Sequence, residues 1–172
     1  KRISSVTSTK QITRTMEMVS TAKIRRALDR ATQAEPYKKA LTDVMHTVAS
    51  DAESVGDNPM LQTHEEFKRG LIIAVTSDRG LAGGFNVNVE RTCEKIAREW
   101  EHDGAECEII ACGRKASEYF RSRANTVMHF EGSSADPSLK DARMIASYIC
   151  DEYTKGNLDR VEVVYHHARN RV

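Results

Sequence analysis

Residues 71–86 read LIIAVTSDRGLAGGFN, and this stretch decides the fold. It opens with Leu71-Ile72-Ile73-Ala74-Val75, a short apolar run rich in β-branched residues between Gly70 and the polar Thr76-Ser77-Asp78. A run of that length and composition predicts a strand buried on both faces of a parallel sheet. Gly80, Gly83 and Gly84 follow, and then residues 87–100 space their apolar groups as a helix does. Strand, glycine-rich turn and helix is an arrangement that lets backbone amides at a helix start approach a neighbour closely. A phosphate loop is the obvious reading, but Phe85 and Asn86 stand where a Walker loop needs Lys-Ser/Thr. The three glycines also miss the G-x-G-x-x-G spacing. A nucleotide-binding α/β enzyme using this turn therefore stays as the alternative to a structural turn or partner contact.

Outward from this stretch the pattern alternates. Strands are predicted at 71–76, 106–112, 126–130 and 160–166, and helices at 86–101, 114–123 and 139–154, with Ser138 opening the last. Residues 131–137 read as a loop, and Lys155-Gly156-Asn157 ends the last helix. Strand–helix alternation with short connections implies right-handed crossovers and a mainly parallel sheet with helices on both faces, an α/β three-layer, Rossmann-like domain.

The N-terminal third differs. Residues 1–55 hold no glycine and one proline, Pro36. Apolar residues recur at Ile12, Met16 and Val19, then at Ala34, Tyr37, Leu41, Val44, Val48 and Val55, mostly in steps of three or four, the seam of a coiled coil. Such a helix would reach roughly 80 Å, with Pro36 bending it or loosening one turn and Gly56-Asp57-Asn58-Pro59 ending it. Its overhanging seam calls for a second helix. The expected organisation is a long coiled-coil helix (1–57), a polar connector (58–69) containing His64, Glu65 and Glu66, and an α/β domain (70–172).

Charge is spread unevenly. The formal net charge is +1, yet residues 1–35 hold eight basic and three acidic side chains, a basic arm on a slightly acidic remainder. No aromatic residue lies among those basic ones, which weighs against nucleic-acid binding. The longest apolar run, five residues, is far short of the roughly twenty that span a bilayer, and no apolar leader precedes it. Opening on Lys1, the chain is expected to lack a few N-terminal residues. Cys93, Cys107, Cys112 and Cys150 lack C-x-x-C spacing, with Cys107 and Cys112 expected on opposite faces of a strand. All four read as buried small hydrophobes in a reducing, cytosol-facing compartment.

Chemistry is sparse. His166 and His167 are neighbours on a predicted strand, so they are expected to point to opposite faces and not to share an ion. His46, His64, His102 and His129 stand alone, and no nucleophile elbow is present. No catalytic, cofactor-binding or metal-binding residue is expected.

Two stretches carry a resemblance. Residues 76–86, TSDRGLAGGFN, resemble the S-D-R-G-L-C-G-G-x-N signature of the gamma subunit of F-type (rotary) ATP synthases. Residues 9–23, TKQITRTMEMVSTAK, resemble that family's T-x-K-I-T-x-A-M-x-M-V-A-A-x-K helix, and the likeness runs along nearly the whole chain. Ala82 replaces the usual cysteine, which argues against a redox role there, and Thr15 replaces a usual alanine. The turn is closer to bacterial than to mitochondrial members.

The resemblance implies a non-catalytic central-stalk subunit. In the family a paired N- and C-terminal coiled coil turns inside a ring of alpha and beta subunits. The α/β domain sits near the epsilon subunit and the c-subunit ring, peripheral to the cytoplasmic face of the membrane and not inserted in it. The family's C-terminal helix is expected beyond the sequence in hand. Met16, Glu17, Lys23 and Arg26 are the implied contacts with the catalytic ring, Lys23 and Arg26 facing acidic loops. Asp78, Arg79, Gly80, Gly83 and Gly84 form the signature turn, its glycines expected to be structural and its charged pair a partner contact.

Overall fold

A computed structural model describes residues 1–50, 56, 58–62, 64–134 and 137–167. Contacts divide the chain into two compact units, Lys1–Gly56 and Asp57–Val172.

The first unit is one α-helix, α1 (Arg2–Ser50, 49 residues), without a buried residue. At 1.5 Å per residue its 49 residues extend about 74 Å. Pro36 lies inside it and does not interrupt it; the ring removes one amide and leaves one carbonyl to solvent. Thr7, Thr9, Thr13, Thr15 and Thr21 each donate their hydroxyl to the carbonyl four residues back, so these polar side chains are satisfied within the helix itself. The continuation expected at 51–55, including Val55, lies outside the described residues. Asn58 then caps a 3-10 turn at Pro59–Leu61, its side chain accepting the Met60 amide.

The second unit has the element order β1 (Arg69–Val75), α2 (Phe85–His102), β2 (Glu106–Cys112), α3 (Arg114–Phe120), β3 (Asn125–Phe130), α4 (Leu139–Thr154) and β4 (Arg160–Val164). The four strands form one sheet in the order β3-β2-β1-β4, parallel throughout. β1 is central, and the expected burial on both faces is observed for Leu71, Ile72, Ile73 and Ala74, all buried, while Val75 at the strand's end is exposed. Alternation divides them. Ile72 and Ala74 join Ile109 and Ala111 of β2 under Val89, Cys93 and Trp100 of α2 and Ala116 and Phe120 of α3. Leu71 and Ile73 join Ile110 and Leu158 on the other face, against Ile145, Tyr148 and Ile149 of α4. The strand order runs outward from β1 to β3 and then returns past β1 to β4. A constant crossover hand requires the returning helix on the opposite face, which is where α4 packs.

Two close approaches depend on glycine. A Cβ on Gly70 would stand 2.2 Å from the Trp100 ring, so the indole lies directly over the β1 backbone. Gly113, between β2 and α3, has φ 97° and ψ 145°, a region essentially reserved for glycine. A Cβ there would meet the Thr76 carbonyl oxygen at 2.3 Å.

Three expectations need correction. The helix expected at 114–123 ends at Phe120, where the chain turns into β3. The strand expected to 166 ends at Val164, so His166 and His167 lie beyond it and both are exposed, not one inward and one outward. Cys150 is exposed on the outer side of α4, whereas Cys93 is buried and Cys107 and Cys112 are half-buried on opposite sheet faces. The polar stretch before β1 is tied to the sheet: Asp159 accepts the Lys68 and Arg69 amides at 2.7 and 2.8 Å, and its other oxygen lies 2.6 Å from His64 Nδ1, while Glu65 and Glu66 are exposed. His64 also stacks on Tyr153 of α4 at 4.5 Å.

Candidate functional site: the signature turn and the face of α1

The signature turn lies at the carboxyl ends of the strands, where parallel α/β sheets place their sites. Its construction is inward. Asp78 follows β1 and its carboxylate collects donors from the two neighbouring loops: the Arg114 amide at 3.0 Å, the Gly132 amide at 2.8 Å, the Ser134 amide at 3.1 Å and the Ser134 hydroxyl. Burial opposes the charge, but the Ser134 hydroxyl and the three amides outweigh it and hold the carboxyl below its ordinary range. Asn86, buried in the first turn of α2, closes the turn from the other side. Its side-chain oxygen accepts the Ser77 amide at 2.9 Å, and its NH2 reaches the Arg79 carbonyl at 3.4 Å.

Of the charged pair, therefore, Asp78 is spent inside the chain. Arg79 is exposed, and no ion pair forms at its guanidinium among the described residues. The three glycines also differ. Gly83 has φ +56°, which a side chain would strain; Gly80 has no positive φ and open space around it, so nothing within the described residues requires glycine there. The residue that sequence reasoning passed over is Leu81. It takes φ 61° and is 99% exposed, an unfavourable conformation for a bulky side chain held out to solvent. Only its place between Gly80 and Gly83 could have flagged it.

The crevice between β1 and β4, where the strand order reverses, is filled by protein. Phe85 stacks on His166 with centroids 4.4 Å apart, and His166 Nε2 lies 2.8 Å from the Phe85 carbonyl oxygen. The amides of Ser77 and Asp78, which in a phosphate loop would turn to an anion, already bond Asn86 and Ser134. The thiols are held protonated: burial, reinforced by Cys107, pushes Cys93 up to about 12, and burial pushes Cys107 and Cys112 up to about 12 and about 11.

On α1, Met16, Glu17, Lys23 and Arg26 are all exposed. At about 100° per residue, Met16 and Lys23 fall on one line of the helix, with Arg26 on the adjoining flank. Glu17 is turned away from them, by about 100° from Met16, about 120° from Lys23 and about half a circle from Arg26. Three of the four thus share a face.

The family model described as ATP synthase matches residues 1–172. Among curated relatives, the chain is similar to the ATP synthase gamma chain of Chlorobium phaeobacteroides (strain BS1), 36% identical over 173 residues covering 98% of this chain and 58% of the relative. It is 38% identical to the gamma chain of Cytophaga hutchinsonii over 98% of this chain and 58% of that one. It is 37% identical to the gamma chain of Geobacter sp. (strain M21) over 96% and 57%. The chain thus spans a little under three fifths of the length of these relatives. With both motifs in place, on a long exposed helix and at the carboxyl edge of a parallel sheet, this chain belongs to the ATP synthase gamma-chain family.

Proposed function

We propose that the whole protein is the central-stalk (rotor) subunit of a rotary ATP synthase, without a catalytic site of its own. It couples proton or sodium movement through the membrane sector to ATP synthesis or hydrolysis in a ring of alpha and beta subunits. α1 would form half of the shaft within that ring. The α/β unit would lie toward the epsilon subunit and the ring of c subunits, peripheral to the cytoplasmic face of the membrane. Among the described residues no helix is long and apolar enough to cross a bilayer.

The observation that carries this reading is α1. Its 49 residues bury nothing, yet Ile12, Met16, Val19, Tyr37, Leu41 and Val44 are each at least half exposed at helical spacing. Apolar residues repeated on one helix are stabilised by packing against another. A shaft of that kind acts by differential contact. Three chemically equivalent sites around an asymmetric rod meet different side chains, and each is biased toward a different conformation and nucleotide affinity.

The test mixes the full-length protein with alpha and beta subunits and determines the mass of the product by light scattering. One copy per three alpha–beta pairs is expected. Absence of any complex, together with tight ATP binding by the protein alone, would overturn the reading in favour of a nucleotide-binding enzyme.

A further inference from the structure

The two faces of the sheet are unequally covered. Among the described residues, α2 and α3 pack on one face and α4 alone on the other. Four strands make a sheet about 19 Å wide, while a packed helix occupies roughly 10 Å, so one helix leaves a lane open. No residue of α4 is fully buried. Along its β3 flank runs a groove of about 520 Å³ lined by Met128, Leu139, Lys140, Arg143, Met144 and Tyr148, among others.

Two independent features shape this groove. The first is an irregularity in the edge strand β3: Ile109 pairs Thr126, but Ile110 pairs Met128, so one extra residue is inserted. Strict alternation would send Val127 and Met128 to opposite faces; the insertion puts both on the α4 side. A bulge in an edge strand is a way to re-aim a side chain, and here it turns Met128 toward the groove. The second is charge. Lys140 and Arg143 lie three residues apart, neighbours on the helix surface, and neither makes an ion pair among the described residues. Elsewhere in the same unit Lys95, Arg98, Lys115 and Lys155 each pair with a glutamate. On either side of these cations Leu139 is 67% and Met144 46% exposed.

We propose that this groove docks an acidic, amphipathic segment of another protein chain. Its apolar side chains would lie against Met128, Leu139 and Met144, and its carboxylates would meet Lys140 and Arg143. An anionic membrane fits less well, because lipid recognition uses clusters of about four to eight Lys or Arg and this groove carries two, Lys140 and Arg143. The inference does not rest on the rotor reading, since co-purification of alpha and beta subunits reports on that separately.

The test places a photo-crosslinking benzoylphenylalanine at Ser147, on the rim of the groove, in the full-length protein expressed with its native partners. Adducts are mapped by peptide mass spectrometry in the otherwise wild-type chain and in Lys140→Glu/Arg143→Glu. Support requires an adduct on a segment carrying Asp or Glu beside apolar residues, and at least a tenfold fall in its yield on charge reversal. Raised salt in the purified wild-type complex should weaken the same adduct, a readout that holds even if the double variant folds poorly. An adduct to another part of this same chain, an adduct to lipid, an adduct to a segment without carboxylates, an adduct indifferent to both charge reversal and salt, or no adduct at all would each overturn it.

Discussion

The Asp78 carboxylate accepts the Gly132 amide at 2.8 Å across 54 residues of sequence, and with the Arg114 and Ser134 donors it binds three carboxyl-edge loops into one unit. Asp78→Asn keeps the shape but removes the charge and turns an NH2 toward donors. Hydrogen bonds to charged groups are worth about 1.5–3 kcal/mol each, so a net loss of about 2 kcal/mol is expected by urea unfolding. The pH dependence has a definite sign. The folded carboxyl lies below its unfolded value of about 3.9, so its contribution is present above about pH 4 and is lost as pH falls through the folded value. The gap between wild type and variant should therefore close only below that range. A gap that closes already near neutral pH would contradict the assignment.

Single substitutions in and beside the turn should rank by backbone conformation. Gly113→Ala meets the Thr76 carbonyl in a conformation closed to alanine, and a loss of about 3 kcal/mol or more is expected. Gly83→Ala should cost roughly 1–2 kcal/mol for its left-handed conformation. Gly80→Ala should be near neutral. Leu81→Gly should raise stability by about 1 kcal/mol, since the side chain is exposed and φ is 61°. Equal effects at Gly80 and Gly113 in thermal unfolding would show that crowding does not set the order.

Much of this was legible beforehand, and what was not has physical causes. The apolar block 71–75 points to a doubly buried central strand because it is too short for a helix, rich in β-branched residues and bounded by Gly70 and Thr76-Ser77-Asp78. Ser138 marks the start of α4 because its hydroxyl accepts the Lys140 and Asp141 amides, a local signal. The partners of Asp78 and Asp159 were illegible. A carboxylate's choice between solvent, a partner protein and amides 36 to 91 residues away depends on tertiary placement. Leu81 escaped notice because its sequence does not reveal that it takes a left-handed conformation as Gly83 does, while Gly80 does not. The bulge at Val127–Met128 likewise depends on the partner strand.

Asp159 makes a second pH-sensitive tie. This carboxylate ties the segment before β1 through the Lys68 and Arg69 amides and His64, beside the packing of Phe67 on Trp100 and the stacking of His64 on Tyr153. Burial opposes its charge, and the Arg69 amide, His64 and the Lys68 amide overcome it, so the carboxyl is held below its ordinary range. Asp159→Asn should release the segment while leaving the sheet intact. The expected readout is hydrogen exchange: the Lys68 and Arg69 amides should exchange at least tenfold faster than in wild type, with Ile72 and Ile110 unchanged. Uniform acceleration across the sheet would mean that Asp159 supports global stability instead.

The proposed shaft contact can be tested at Lys23. It is exposed on α1 on the same helix line as Met16, with Arg26 on the adjoining flank, and α1 has no buried residue that a change there would disturb. Lys23→Glu in the full-length subunit should leave helix content and assembly with alpha and beta subunits unchanged. A sliding contact between exposed charges contributes only about 0–1 kcal/mol when matched. If this face meets acidic loops of the ring, as the family resemblance implies, reversal would turn attraction into repulsion at every passage, and ATP made per ion translocated should fall. Glu17→Lys, on a different side of the helix by about 100°, should have a smaller effect if the shared face of Met16, Lys23 and Arg26 is the working one. Ion flux and ATP yield measured together in reconstituted vesicles give the ratio directly. An unchanged ratio in Lys23→Glu would remove this face from the coupling contact, whereas a loss of assembly would instead assign Lys23 to holding the ring together.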